Sequence, residues 1–384
     1  MTSPKPEISL HGSRLDGIDL LRGLAIFFVL MNHVNMRLLI AKMPYAHGLP
    51  PQLTNSLVWN GQYGVQIFFA VSGFLITSVS LRRWQALPRV SLRGFYLMRF
   101  ARIAPLLLLL LLILSVFHFA GLKDFVVSEK TGGLARALLA AITFHVNVLE
   151  AHHGYLPGSW DILWSLSVEE MFYLFFPVVS RLFGRGKPLL LILAGFVVLG
   201  PLARTILAHG NEVWREYSYL GSMDAIALGC LTALATARYR FSRATLRIFV
   251  LIGLVLLIFI LGFSIQTEKF ALQRTGLDMT ILAFGACMMI VAAAQTNWKS
   301  PLLFRPLLQL GQRSYEIYLT HMFIVFVLFH FFLAAGKPVH AIPFLFLGVT
   351  IVAALLGEIV ARVYSEPLNR MIRSHWSAKP QRAS

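Results

Sequence analysis

Charge is scarce in this sequence. Of its 384 residues only 13% are Asp, Glu, Lys or Arg, and 57% are hydrophobic; an average soluble domain carries roughly 25% charged residues. A water-soluble fold cannot hide so much apolar surface. The chain also holds many apolar runs of about 20 residues, enough to cross a bilayer core as a helix, so its solvent is lipid. Cysteine is nearly absent as well. Cys230 and Cys287 both lie inside apolar runs, which argues against a structural disulfide and leaves no metal-ligand spacing; no metal is expected. Internal repeats are lacking, and no soluble domain is appended. The N-terminus is polar for about seventeen residues and then enters a long apolar stretch without a small-residue cleavage site, which reads as an uncleaved anchor. Acidic residues are half as frequent as basic ones, for a net charge of +17. Such a balance can mark a nucleic-acid binder. Here the basic residues sit in short connectors between apolar runs, where membrane topology places them, so no nucleic-acid partner is expected.

Apolar runs predict ten spans, at 18–40, 58–81, 100–120, 162–182, 189–209, 220–237, 248–265, 277–295, 315–335 and 341–364. An eleventh candidate, 134–149, is shorter and contains His145 and Asn147. Lys and Arg distribution decides its status, because cytoplasmic loops carry the excess of both. If 134–149 does not cross, 22 of the 34 basic residues fall on one side and 8 on the other, with Arg22, Arg37, Arg204 and Arg362 inside spans. If it crosses, the bias vanishes. The expectation is an all-α integral membrane protein with about ten transmembrane helices, both termini cytoplasmic, and 134–149 re-entrant or interfacial. Residues 1–370 form one membrane domain and 371–384 a basic cytoplasmic tail.

Ionisable groups inside spans are costly and mark function by default. In "LRGLAIFFVLMNH", Arg22 and His33 are eleven residues apart. Eleven helical steps return to within about 20° of the start, so both face one side, roughly 16 Å apart along the axis. A snorkelling arginine or a lone satisfied histidine needs no further account; an aligned pair suggests a shared cavity. In "SLSVEEMFY", Glu169 and Glu170 sit about 10 Å below the outer surface by helix rise, the depth of His33, where a carboxylate can fix the imidazole tautomer and raise its basicity. Asp224 can join this outer layer. A second layer is expected near the cytoplasmic face: Ser72 and Gly73 in "FFAVSGFLI"; Ser314, Tyr315, Tyr318 and His321 in "SYEIYLTH"; Glu358; and Arg99 and Arg102, one turn apart and placed to clamp phosphates. Glycine at position 73 permits close approach of a ligand or a helix. A basic inner mouth of this kind would hold the phosphates of coenzyme A, and the pantetheine arm would carry the thioester toward His33.

These motifs resemble the membrane acyltransferase family 3, the OafA-like O-acyltransferases. The likeness runs through "DLLRGLAIFFVLMNH", "GVQIFFAVSGFLI", "RFARIAP", "WSLSVEEMFY", "LGQRSYEIYLTH" and "SEPL", in the family's order. It implies an acyl-CoA donor, usually acetyl-CoA, and a carbohydrate or other hydroxyl acceptor of the envelope, with the protein in the plasma membrane. The family's essential Arg and His map onto Arg22 and His33, its Arg-x-x-Arg element onto Arg99 and Arg102, and its Glu motif onto Glu169. One departure is "GSMDAIALG", where Met223 precedes Asp224 and many relatives carry an Arg-x-Asp-like pattern. Many relatives also carry a C-terminal hydrolase-like domain; the expectation here is delivery of the acyl group by this chain itself or by a separate partner. The mechanism expected is direct transfer. His33, oriented by Glu169, is the base. Arg22, the Arg99/Arg102 pair, Ser72, Tyr315 and His321 hold the donor. An acyl-His33 relay is the covalent variant. The rival class is a multi-pass transporter or flippase for a glycan or lipid-linked substrate, whose intramembrane charges serve ion coupling, although no repeated halves or paired interrupted helices are visible.

Overall fold

A computed structural model of the protein describes residues 15–46, 49–296 and 298–377, and no strand occurs among them. Residues 1–14 and 378–384, including half of the basic tail expected at 371–384, lie outside the described residues. Among the described residues, ten helices are long and apolar enough to cross a membrane, as the hydropathy pattern predicts. Their cores are α1 (Asp16–Ile40), α2 (Gly61–Trp84), α3 (Leu92–Phe119), α4 (Leu163–Phe183) and α5 (Lys187–Thr205). The second five are α6 (Tyr219–Arg238), α7 (Arg243–Gly262), α8 (Leu277–Gln295), α9 (Ser314–Ala334) and α10 (Ile342–Val360). A final amphipathic helix, α11 (Glu366–Ser377), follows a π-helical turn at Ala361–Ser365. The eleventh candidate does not form a span. It breaks into the helices Gly133–Ile142 and Val146–His153, with Phe144 between them at φ 58°, and neither is long enough to cross.

Local sequence sets the helix starts. Ser91, Ser218 and Ser242 cap α3, α6 and α7, accepting from the backbone N–H of Gly94, Gly221 and Thr245 at 3.2, 3.1 and 3.1 Å, bonds that satisfy donors a helix N-terminus leaves open. Asp16 and Asp19 occupy the first turn of α1, where the helix dipole favours negative charge. Within α3, Pro105 withdraws one backbone donor. The nearby carbonyls of Ile103 and Pro105 accept from the hydroxyls of Tyr315 and Tyr364 at 3.0 and 3.1 Å, tying α3 to α9 and to the π-helical turn.

Two packing details set the register of the functional layer. The first joins α2 to α6. A Cβ at Gly73 would lie 2.0 Å from the Ile226 carbonyl oxygen, and one at Gly229 would lie 2.0 Å from that of Ala70. Small residues let these backbones touch, the usual device where lipid removes the hydrophobic drive. Gly73 therefore admits a helix, one of the two occupants its position allowed. The second detail concerns the short helix Arg305–Gln312, which wedges against the first half of α1: Gly311 lies on the Asp19 carbonyl and Gly23 on that of Leu307. α9 consequently starts well inside the end of α1.

Asp224 does not join the His33 layer. It is fully buried and pairs with Arg204 of α5, whose guanidinium donates to its carboxylate at 3.1 and 2.7 Å, to the Gly276 carbonyl at 2.6 Å and to Thr280 Oγ1 at 2.7 Å. The arginine partner of Asp224 thus comes from another helix and not from its own. This network locks α5, α6 and α8 together.

Candidate active site

Two cavities open among the arginine-rich ends of the helices and converge on Arg22, Leu75 and Arg102, which line both. The wider one, about 620 Å³, is walled by five arginines (Arg22, Arg82, Arg102, Arg240 and Arg313) and three carboxylates (Asp19, Glu316 and Glu366). Arg22 lies 3.5 Å from Asp19, Arg102 lies 2.9 Å from Glu316, and Arg313 bonds to Glu358 at 2.5 Å and to Glu366. Arg82 and Arg240 make no ion pair or hydrogen bond among the described residues. The narrower cavity, about 430 Å³, follows one face of α2 from Val79 up to Val65, a run of about 21 Å by helix rise. Its far end reaches Ser165 and Tyr318.

Arg99 and Arg102 line the narrower cavity, but each already holds a carboxylate. Arg99 donates to Glu170 at 3.0 Å, lies 3.9 Å from Glu169, and sits 3.6 Å over the ring of Tyr173. Arg102 bonds to Glu316, which is 1% exposed, and stacks 4.8 Å over Tyr315. Both guanidiniums, expected to clamp phosphates, are thus paired with in-span carboxylates. Ser72 bonds to Glu169 and to the Tyr173 hydroxyl, and Tyr173 donates to Glu169 at 2.5 Å. Tyr315 lies in the same wall, its hydroxyl on the Ile103 carbonyl.

Glu169 was expected beside His33 and is not bonded to it; its partners are Ser72, Tyr173 and Arg99. The reason is depth. Helical structure at this span begins at Gly158, so Glu169 lies about 16 Å in, level with Ser72, which is also eleven residues into its helix. His33 instead meets His321, which was expected near the cytoplasmic face among the donor-binding groups. The two rings are 4.8 Å apart and inclined at 61°, with His33 Nδ1 3.3 Å from His321 Nε2. The late start of α9 raises His321 to that level. His33 Nδ1 also lies 2.8 Å from the Val29 carbonyl, and His321 Nδ1 lies 2.7 and 3.2 Å from the carbonyls of Tyr318 and Ile317. Tyr318 continues the chain of contacts, its ring 5.9 Å from that of His321 and its hydroxyl 2.6 Å from Ser165 Oγ.

Arg22 and His33 were expected to line one cavity. Arg22 lines both cavities, whereas His33 is in the wall of neither and is joined to the end of the narrower one through His321 and Tyr318. One turn beyond His33, Arg37 pairs with Asp124 and lies 4.6 Å from the Phe326 ring. Glu316, Tyr173 and Ser165 were not singled out beforehand. Tyr173 had a signal, since it stands four residues after Glu169 on one helix face. Glu316 stood inside "SYEIYLTH" as an in-span carboxylate. Outside the spans, Glu150 is fully buried and accepts from the Leu156 N–H at 3.0 Å. Burial pushes its carboxyl well above the ordinary range, and the neighbouring charge of Asp161 pushes it further.

A family model described as "Acyltransferase domain" matches residues 15–359. The chain is 28% identical over 326 residues to the peptidoglycan O-acetyltransferase OatA of Listeria monocytogenes serovar 1/2a, covering 80% of this chain and 49% of that protein. It is 25% identical over 371 residues to the O-acetyltransferase OatA of Staphylococcus aureus strain NCTC 8325, covering 93% and 57%. A putative O-acetyltransferase of Staphylococcus aureus strain COL is 23% identical over 365 residues, covering 89% and 56%. The chain thus spans about half the length of the curated relatives it matches. No solved structure matches.

Proposed function

The chain belongs to the acyltransferase-domain family, and on that premise we propose that it is a plasma-membrane O-acetyltransferase moving an acetyl group from acetyl-CoA on the cytoplasmic side to a hydroxyl of an envelope glycan. One observation carries the reading: a basic mouth and a narrower channel meet at Arg22 and Arg102, and the channel ends beside the Tyr318–His321–His33 chain. The relatives named for O-acetylation, one of them of peptidoglycan, support the acetyl group and the glycan acceptor. The arginine bias of the loops supports the cytoplasmic side for the mouth.

The donor's nucleotide phosphates lie in the wider cavity on Arg82 and Arg240, the two guanidiniums of that cavity without a carboxylate partner among the described residues. Its pantetheine arm passes Arg22 and Arg102 and extends along α2 past Ser72 and Tyr315. Glu169, held by Ser72, Tyr173 and Arg99, shapes the channel wall and keeps Arg99 in place. His33 takes the proton of the acceptor hydroxyl as the oxygen attacks the thioester carbonyl. The new C–O bond forms, the C–S bond breaks, and the proton passes from His33 to the departing thiolate, so the products are an O-acetyl ester and free coenzyme A. Positioning the two reactants together supplies much of the rate. Acetyl transfer in membranes carrying His33→Ala tests the assignment. Loss of turnover by at least about 100-fold is expected of a general base; near-normal turnover overturns it.

A further inference from the structure

We propose that His321 is a positioning residue that holds His33 in the tautomer with its proton on Nδ1, leaving Nε2 as the bare nitrogen that receives the acceptor's proton. The role in proton transfer rests on the acetyltransferase reading above; the tautomer does not.

Hydrogen-bond accounting fixes both rings. Carbonyl oxygens only accept. His321 Nδ1 faces two of them, Tyr318 and Ile317, at 2.7 and 3.2 Å, so that nitrogen carries the hydrogen. His321 Nε2 is then a lone-pair acceptor in the neutral ring. It faces His33 Nδ1 at 3.3 Å, and the same His33 Nδ1 faces the Val29 carbonyl at 2.8 Å. Two acceptors converge on one nitrogen, so His33 Nδ1 carries a hydrogen shared between them. The second nitrogen of His33 is left with its lone pair. A proton on His321 Nε2 would point at the Nδ1–H of His33, so His321 stays neutral while His33 donates to it.

The chemistry of the layer explains why an imidazole and not a carboxylate does this work. His321 is 0% exposed, and a charge placed there at mid-membrane depth would need its own partner. A neutral imidazole accepts a hydrogen bond without adding charge. When His33 gains a proton, its Nδ1–H becomes a charge-assisted donor to Val29 and His321, and such bonds are shorter and stronger than neutral ones. The base is therefore oriented before the reaction and supported during it. His33 is half-buried while His321 is enclosed, which fits the division between a reacting ring and its support.

Two measurements test this. In protein labelled with [15N]histidine, the signals of His33, identified by their loss in His33→Gln, should show a protonated Nδ1 and a bare Nε2; the opposite tautomer overturns the proposal. In turnover assays, His321→Phe keeps an aromatic ring and removes the acceptor. Its kcat should fall about 10- to 100-fold, within the range of general-base contributions, with KM for acetyl-CoA within about twofold. His321→Gln, whose amide oxygen can accept, should recover part of the loss. An unchanged kcat in His321→Phe overturns the proposal, as does a loss that follows a drop in melting temperature and is not recovered by His321→Gln. If wild-type protein transfers nothing from acetyl-CoA, the enzymatic reading fails, and the nitrogen signals still decide the tautomer.

Discussion

Replacing both Arg82 and Arg240 by glutamine should weaken acetyl-CoA binding without touching the chemistry. The wider cavity carries five arginines and three carboxylates. Arg22, Arg102 and Arg313 are each answered by a carboxylate, so the charge left to meet phosphate resides on Arg82 and Arg240. Both are exposed, and an exposed ion pair contributes up to about 1 kcal/mol. Two such contacts come to about 2 kcal/mol, or roughly 30-fold in affinity. KM for acetyl-CoA should therefore rise about 30-fold in the double variant, with kcat at saturating donor unchanged. Acetyl-pantetheine, which lacks the nucleotide, serves as the control and should show the same KM in both proteins. The wild-type KM for acetyl-CoA should also climb with salt, since the Debye length falls to about 8 Å at physiological ionic strength, and the variant should respond less. The assay is transfer of radiolabelled acetyl groups in inside-out vesicles. A KM for acetyl-CoA within twofold of wild type, or an equal rise for acetyl-pantetheine, would refute the reasoning.

Arg204→Ala leaves the fully buried Asp224 without its partner and should cost about 3–5 kcal/mol; Arg204→Met with Asp224→Leu should recover most of that in detergent thermal melts, and a double variant no better than the single would contradict the account. Gly73→Leu forces α2 from α6, where even a Cβ would lie 2.0 Å from a carbonyl oxygen, so the protein should lose its cooperative melting transition, whereas Gly121→Ala, in open space, should cost only the strain of its positive φ. Glu150 has its carboxyl raised by burial, so the stability tied to its neutral form is complete below the ordinary carboxylate range and is lost as pH rises through the raised value. Melting temperature should decline with rising pH in wild type and less so in Glu150→Gln; identical profiles would remove Glu150 from the explanation.

The spanning helices were legible because each is decided locally. About 20 apolar residues satisfy their own backbone hydrogen bonds within one segment, and the basic residues between them report which segments cross. The failure of 134–149 to cross followed from the same count. Arg22, His33 and the arginines of "RFARIAP" were likewise visible as costly groups in or beside apolar runs, and their places on the helices followed from rise and turn. Tyr173 was missed although its i+4 spacing to Glu169 pointed to it, and Glu316 was missed although it stood in a motif already singled out.

What the sequence determined alone, then, is the set of membrane helices and the polar groups each one carries. The tertiary structure decided which of those groups meet. His321 reached His33 because the wedge Arg305–Gln312 starts α9 well inside the end of α1, and Glu169 went to Ser72 and Arg99 because helical structure at its span begins at Gly158. Hydropathy locates a span to within a few residues, and each residue is about 1.5 Å of depth. An error of one turn moves a side chain past one partner and onto the next, and only the packing between helices fixes that register.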